Sequence, residues 1–248
     1  QNFPITGTKL HPVFIKNLAQ VKKAAAITNN NAGLLPKDKA DAIVRACDEV
    51  IAGKWAEEFI VDAIQGGAGT SANMNMNEVI ANRAGELLGC PKGSYKMVHP
   101  NDHVNMAQST NDVIPTAGKL TVLDLLAPLE KALGRLEREL AKKAEEFDDV
   151  ITMGRTQLQD AVPIRLGQVF HGYASMVARD RKRIEKAHKE MYTVNLGGTA
   201  VGTAINVSDS YFYKIVPNLE KLTGYPLRQA EDLFDATENL DGFVAVSG

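Results

Sequence analysis

One run of apolar residues constrains the fold of this chain more than any other feature. Between about Thr116 and Phe147, leucine and valine recur at alternating steps of four and three residues, at Val122, Leu126, Leu129, Leu133, Leu136 and Leu140. That spacing predicts a long amphipathic helix with an apolar stripe along one side. The stripe is too long for one small domain, so it predicts an extended helical bundle. Pro128 lies inside the run and predicts a kink or a restart of the helix.

Helical periodicity extends over most of the remaining chain. It covers residues 12–28, 37–51, 163–194 and 210–222. Pro163 is predicted to lie in the first turn of its helix, where a missing N–H matters little, and Pro217 is predicted to kink or split the last segment. Only short pieces such as "FIVDAI" alternate with a period of two. We therefore predict an all-α fold.

Composition and net charge limit the kinds of partner that the chain is expected to bind. A formal net charge of −2 and a pI of about 6.3 offer no electrostatic attraction to nucleic acid or to an anionic membrane. No apolar run approaches the ~18 residues that a membrane span needs. The two cysteines, Cys47 and Cys90, have no metal-ligand spacing, which is typical of reduced thiols in the cytoplasm. Because the chain begins with Gln1 and stops at "FVAVSG" without a polar tail, we expect it to be a fragment.

Four polar segments interrupt the helices, at residues 66–79, 99–116, 154–163 and 195–206. They are rich in Ser, Thr, Asn, Gln or Gly and poor in Lys and Glu, which is unusual for solvated loops. Glycines let a backbone approach a ligand closely, and small donors at helix starts favour an anion. Each segment taken alone is explained as well by capping and turn formation, as for "STND". Four in one chain favour a pocket for a small carboxylate or phosphate.

Nucleotide and metal sites find little support in the same segments. The cluster at Gly66–Thr70 lacks the Lys-Ser/Thr ending of a P-loop, and no GxGxxG surrounds it. His99 and His103 have a metal-compatible spacing, but Pro100 disfavours a regular helix there and no third ligand is evident. We predict neither a metal nor a cofactor.

Taken together, the four segments resemble those of a known family. "GGAGTSANMNMNEVIANRA", "HPNDHVNMAQSTNDVIPTA", "GRTQLQDAVPIRLGQ" and "VNLGGTAVGTAIN" are similar, in this order, to the motifs of the aspartase/fumarase superfamily of lyases, and most closely to those of aspartate ammonia-lyases. The resemblance implies a helical N-terminal domain, here residues 1–110, and the first part of a central long-helix domain, here residues 111–248. It also implies a homotetramer whose active sites gather segments from three subunits.

The resemblance further implies a reaction, the reversible elimination of ammonia from L-aspartate to give fumarate. A base removes the proton beside the β-carboxylate and forms an aci-carboxylate, whose new charge must be met by hydrogen-bond donors. The residues that match the family's motifs fall into three groups. Those expected to hold carboxylates, with Asn111 also near the amine, are Thr70, Ser71, Asn73, Ser109, Thr110 and Asn111. Those expected at the reacting end are Thr156 and Gln157, and those of an accessory dicarboxylate site are His99, Asn101 and Asp102.

Two departures from the family pattern qualify this prediction. Many members carry His where this chain has Gln157, and an amide cannot shuttle a proton. The family's loop "GSSxMPxKxN", which carries the serine base, is absent from the chain and is expected beyond Gly248. We therefore predict that these 248 residues alone are inactive.

Other functions stay open on the sequence alone. "LQDAVP" favours an aspartase over a fumarase, which would hydrate fumarate to L-malate, and argininosuccinate or adenylosuccinate lyase fits less well. A helical oligomerisation module without turnover and a dicarboxylate-binding protein without catalysis are the alternatives of another class.

Overall fold

The computed structural model describes residues 4–65, 67 and 69–247. Within them the helices are α1 (Pro12–Asn31), α2 (Lys37–Ile51), α3 (Thr70–Leu87), α4 (Thr110–Glu146), α5 (Leu166–Glu190), α6 (Asp209–Phe212), α7 (Ile215–Thr223), α8 (Leu233–Glu238) and α9 (Asp241–Ser247). The strands are β1 (Ile151–Thr156), β2 (Gln159–Arg165), β3 (Thr193–Val194) and β4 (Arg228–Gln229). The predicted all-α class is confirmed, with short strands added to it. In the part of the chain described, no helix has the length and apolar character of a membrane span.

The chain divides into two compact units. The first contains residues 1–122 and 191–244, and the second contains residues 123–190 and 245–248. In the first unit α1 packs against α2, α3 and α7. Its core includes fully buried side chains such as Leu18, Ile43, Met76 and Leu120. The division predicted between residues 110 and 111 from the family pattern stays a prediction.

The second unit is built around an antiparallel helix pair. Glu130 contacts His188, at 3.0 Å, and Glu137 pairs with Arg181, so α5 runs back along the second half of α4. The start of α5 approaches the end of α4 closely at Gly167, where a Cβ atom would lie 2.4 Å from the Ala144 carbonyl oxygen.

The predicted apolar stripe is only partly covered in the single chain. Leu126 is buried, whereas several large apolar side chains on α4 and α5 are between 43% and 50% exposed, namely Leu125, Leu129, Leu136, Tyr173 and Met176. An apolar surface of this kind is typical of a helix that packs against another chain.

The boundaries of α1 and α2 agree closely with the periodicity, whereas α4 and α5 differ from it. Helix α4 begins at Thr110 and extends for 37 residues. It continues through Pro128, so the proline does not restart the helix. The helix predicted from Pro163 instead begins at Leu166, since Pro163 lies in β2 opposite Met153. The prediction was wrong there because a proline suits the first turn of a helix and an irregular strand equally well.

Two smaller segments noted in the sequence are also described by the structure. "FIVDAI" contains no strand, and its pairing is a single bridge between Lys9 and Asp62. The last helical segment is divided at residues 213–214 and not at Pro217, so the prediction that Pro217 splits it was wrong. Pro217 lies in the first turn of α7, where its missing N–H costs nothing.

The β1–β2 hairpin turns through two strained residues. Thr156 pairs with Gln159, so Gln157 and Leu158 form a two-residue turn, with φ of 48° and 66°. Such a turn favours Asn-Gly, because left-handed backbone costs other residues energy.

Replacing Leu158 by glycine is expected to raise the free energy of unfolding by about 0.5–1 kcal/mol, because the left-handed conformation costs glycine nothing. Leu158 is 92% exposed, so removal of its side chain forfeits no packing. Urea denaturation checks the value. Leu158→Ala is the matched control, since it removes the side chain but keeps the strain, and equal stability of the two variants would contradict the explanation.

Candidate active site

The starts of α3 and α4 lie side by side in the first unit. Thr70 is the first residue of α3, and it follows Gly69, whose left-handed backbone has φ +85°. A Cβ atom at Gly69 would lie 3.0 Å from Cγ2 of Ile114 in the first turns of α4. The Asn73 side-chain amide donates to the Thr110 hydroxyl at 3.3 Å. Two helix N-termini with their N–H dipoles therefore meet, and such termini favour an anion.

Asp112 joins the start of α4 to the segment at residues 195–206. Its carboxylate is fully buried and accepts from the backbone N–H of Ser109 at 2.9 Å. The second oxygen accepts from the N–H groups of Gly197 and Thr199, at 3.0 and 3.1 Å. Burial raises the pKa of Asp112, and these three hydrogen bonds and the charge of Lys22 oppose the rise. Asp112 thus neutralises part of the local positive potential and holds two polar segments together.

Asn111 strengthens the same junction. Its side-chain amide donates to the Ala200 carbonyl at 2.8 Å, and its own carbonyl accepts from the Asn195 amide at 3.0 Å. One amide hydrogen of Asn111 is therefore engaged by the protein, and the side chain has its second hydrogen and its oxygen to offer to a ligand.

A buried polar cluster lies beneath the two helix starts. It consists of Lys22, Asn73, Asn77, Asn105 and Gln108, which we call the Lys22 cluster. Lys22, Asn73 and Asn77 are 0–1% exposed, and no hydrogen bond within the described residues reaches Oδ1 of Asn73 or of Asn77. Neither Lys22 nor Asp112 was predicted from the sequence as a site residue. The available signal was that Lys22 follows Leu18 by four residues and so lies on the apolar face of α1.

The remaining predicted residues lie elsewhere. Thr156 and Gln157 belong to the second unit, where both are exposed at the tip of the β1–β2 hairpin. In the first unit, His99 Nδ1 accepts from the backbone N–H groups of Asn101 and Asp102, at 3.3 and 3.2 Å. His99 therefore caps the π-helical turn at residues 100–104. Gly66, at the start of the first polar segment, is outside the described residues.

His103, the second histidine of the pair, makes contacts on both ring nitrogens. Its Nδ1 atom accepts from the His99 N–H at 2.8 Å, and its Nε2 atom lies 2.9 Å from Lys39 Nζ. Burial, together with the neighbouring charge of Lys39, lowers the pKa of His103. Across residues 4–65, 67 and 69–247, no three His, Cys, Asp or Glu side chains converge as metal ligands.

Comparisons with known proteins agree with one another. A family model described as a lyase matches residues 1–248. The chain is 54% identical over 247 residues to an aspartate ammonia-lyase from a Bacillus species, and this alignment covers 100% of the chain and 53% of that protein. It is 45% identical over 251 residues to the aspartate ammonia-lyase of Escherichia coli K12, again with 100% of the chain and 52% of the relative covered. The chain thus spans about half the length of these curated relatives.

Solved structures share the fold along the whole chain. A fumarate lyase:delta crystallin from Brucella melitensis superposes with a TM-score of 0.94 and 48% identity, covering 100% of this chain and 54% of that one. The class II fumarase of Schistosoma mansoni superposes with a TM-score of 0.92 and 36% identity, covering 100% of this chain and 55% of that one.

Proposed function

Because this chain belongs to the lyase family that matches its whole length, we propose that the protein containing it reversibly eliminates ammonia from L-aspartate to give fumarate. The observation that carries the proposal is the junction of the α3 and α4 starts, where Asn73 reaches Thr110. The identity of 45–54% to proteins named aspartate ammonia-lyases supports ammonia rather than water as the group eliminated, since the fumarase is 36% identical.

The junction has the donors that a dicarboxylate needs. Thr110 accepts from Asn73, so its own hydroxyl hydrogen can be donated to a carboxylate. The first N–H groups of α3, at Thr70 and Ser71, have no partner within their helix and add positive potential. Removal of a proton beside a carboxylate concentrates negative charge on that group, and hydrogen bonds to it strengthen in the transition state. We assign carboxylate binding to Thr70, Ser71, Ser109, Thr110 and Asn111. Asn73 is proposed to orient the Thr110 hydroxyl, because its own amide donates to Asn105 and Thr110.

The base must come from another part of the protein. Gln157 has no titratable proton, so Thr156 and Gln157 are proposed to position the reacting end of the substrate in a site assembled from several subunits. The family's serine base is proposed to come from a part of the protein outside these residues. The partly exposed apolar side chains of α4 and α5 support assembly into a homotetramer. Both cysteines are free thiols, which is typical of cytoplasmic proteins, so we propose the cytoplasm as the location. The accessory site at His99, Asn101 and Asp102 is proposed to admit dicarboxylates. We also propose that the reaction uses no cofactor.

The test measures fumarate formation, by ultraviolet absorbance, with the full-length protein. We expect fumarate from L-aspartate and not from L-malate. Thr110→Val should lower kcat/KM for L-aspartate about 10–100-fold, because a hydrogen bond to a charged group contributes roughly 1.5–3 kcal/mol. Thr223→Val on α7 is the matched control, since that hydroxyl donates to the Leu219 carbonyl of its own helix. Its activity should equal that of the wild type.

Two results would contradict the proposal. Fumarate from L-malate alone would indicate a fumarase. A folded tetramer that forms fumarate from neither substrate would favour a non-catalytic helical module, or a dicarboxylate-binding protein if fumarate still bound saturably.

A further inference from the structure

Lys22 is a charged side chain in the fully buried part of α1, where a charge needs partners. Its ammonium donates to Asn105 Oδ1 at 2.8 Å and to Gln108 Oε1 at 3.0 Å. An ammonium group donates and never accepts, so the oxygens of both amides must face it. The amide nitrogens must then point away, and they do, toward the carbonyls of Gln108, Val104 and Met106. Lys22 therefore determines the orientation of two amide side chains.

Asn105 passes this orientation to the candidate site. The same Oδ1 atom that accepts from Lys22 also accepts from Asn73 and Asn77 on α3, both at 3.2 Å. The Asn73 nitrogen in turn donates to Thr110 at 3.3 Å. A continuous series of hydrogen bonds thus leads from α1 through Asn105 to the paired starts of α3 and α4.

The backbone between Asn105 and Gln108 needs this support. Ala107 has φ +58°, a left-handed conformation that costs a non-glycine residue energy. The Gln108 side chain reaches back across Ala107. Its amide nitrogen donates to the Met106 carbonyl at 3.0 Å, and its amide oxygen accepts from Lys22. Loss of the Lys22 contact would free Gln108 and relax the turn directly before Ser109 and Thr110.

Stability alone does not account for a lysine at this position. Burial lowers the pKa of Lys22 to about 7, and the charge of Asp112 on α4 opposes this. Burial also raises the pKa of the Cys47 thiol, which is therefore neutral. Apolar side chains of similar volume often replace buried ion pairs without loss of stability. A buried lysine at this position is better explained by its orientation of the neighbouring amide side chains.

We infer that Lys22 is a positioning residue for the proposed reaction. It orients Asn105 and Gln108 and, through Asn105, holds Asn73 where it positions the Thr110 hydroxyl to bind a substrate carboxylate. Lys22 itself touches no substrate. The inference rests on the proposed lyase function and adds to it a residue that the sequence motifs do not include.

The experiment compares Lys22→Met with Lys23→Met in the full-length protein. Both remove a lysine from α1, but Lys23 pairs with Asp48 on α2, at 2.6 Å, away from the Lys22 cluster. For Lys22→Met we expect KM for L-aspartate to rise about tenfold or more, with a smaller fall in kcat, because carboxylate binding is weakened. Lys23→Met should leave both constants unchanged. Lys22→Gln keeps a donor and should recover part of the lost affinity.

The outcomes are separable. An unchanged KM in Lys22→Met, or a loss confined to kcat, would overturn the inference while wild-type activity upholds the lyase proposal. If Lys22→Met does not fold, Lys22→Gln decides, and an unchanged KM in that variant overturns the inference. A wild-type protein that forms no fumarate overturns the proposed function and the role of Lys22 with it.

Discussion

Replacing Asp112 by alanine is expected to lower the free energy of unfolding by about 3–5 kcal/mol, because several buried groups lose their partner at once. The variant leaves the backbone N–H groups of Ser109, Gly197 and Thr199 without their acceptor. It also removes the buried carboxylate whose charge stabilises the Lys22 ammonium. Each unpaired buried donor adds about 1–3 kcal/mol, although these costs overlap.

Urea denaturation of the two variants Asp112→Ala and Asp41→Ala measures this effect. Asp41 is exposed on α2 and pairs with Lys37 at 3.1 Å across one helical turn, so its loss should cost less than about 0.5 kcal/mol. A loss below about 1 kcal/mol for Asp112→Ala would mean that water replaces the carboxylate. It would also show that the 195–206 segment does not depend on Asp112.

Replacing Gly202 by alanine is expected to cost about 3 kcal/mol. Gly202 has φ +85°, and a Cβ atom there would lie 2.4 Å from the Leu233 carbonyl oxygen and 2.5 Å from the Phe234 nitrogen. Backbone strain in the left-handed region contributes about 1 kcal/mol, and the displacement of packed backbone adds about 1–3 kcal/mol. The segment that carries the Asp112 donors would have to move.

Gly224→Ala is the matched control for this variant. Gly224 also has a left-handed backbone, with φ +75°, but a Cβ atom there would meet nothing within 4 Å. Gly224→Ala should therefore lower the free energy of unfolding by only about 1 kcal/mol, the cost of a left-handed backbone at alanine. Thermal or urea unfolding of both variants separates the backbone strain from the steric clash. Equal losses of stability would show that a Cβ atom at Gly202 does not clash with residues 233–234.

The local patterns were predictable because they depend on neighbours in the chain. The spacing of apolar residues predicted the bounds of α1 and α2 closely, since each helix buries one face. The polar segments at the starts of α3 and α4 stood out because their composition suits neither a core nor a solvated loop. Their arrangement as paired helix starts with Asn73 reaching Thr110 was not predicted. The β1–β2 hairpin was missed because its strands are mostly exposed and show no clear apolar alternation.

The sequence by itself determined the all-α class, the course of the long helices and, through four motifs, the family to which the chain belongs. Only the tertiary structure decided which buried polar groups meet. Lys22 reaches Asn105 across 83 residues of sequence, and Gly197 reaches Asp112 across 85. The spacing of apolar residues predicts which face of a helix packs into the core, because that spacing depends only on residues close together in the chain. A buried charge, by contrast, is stabilised only by partners that the fold brings from distant segments, and no local pattern specifies them.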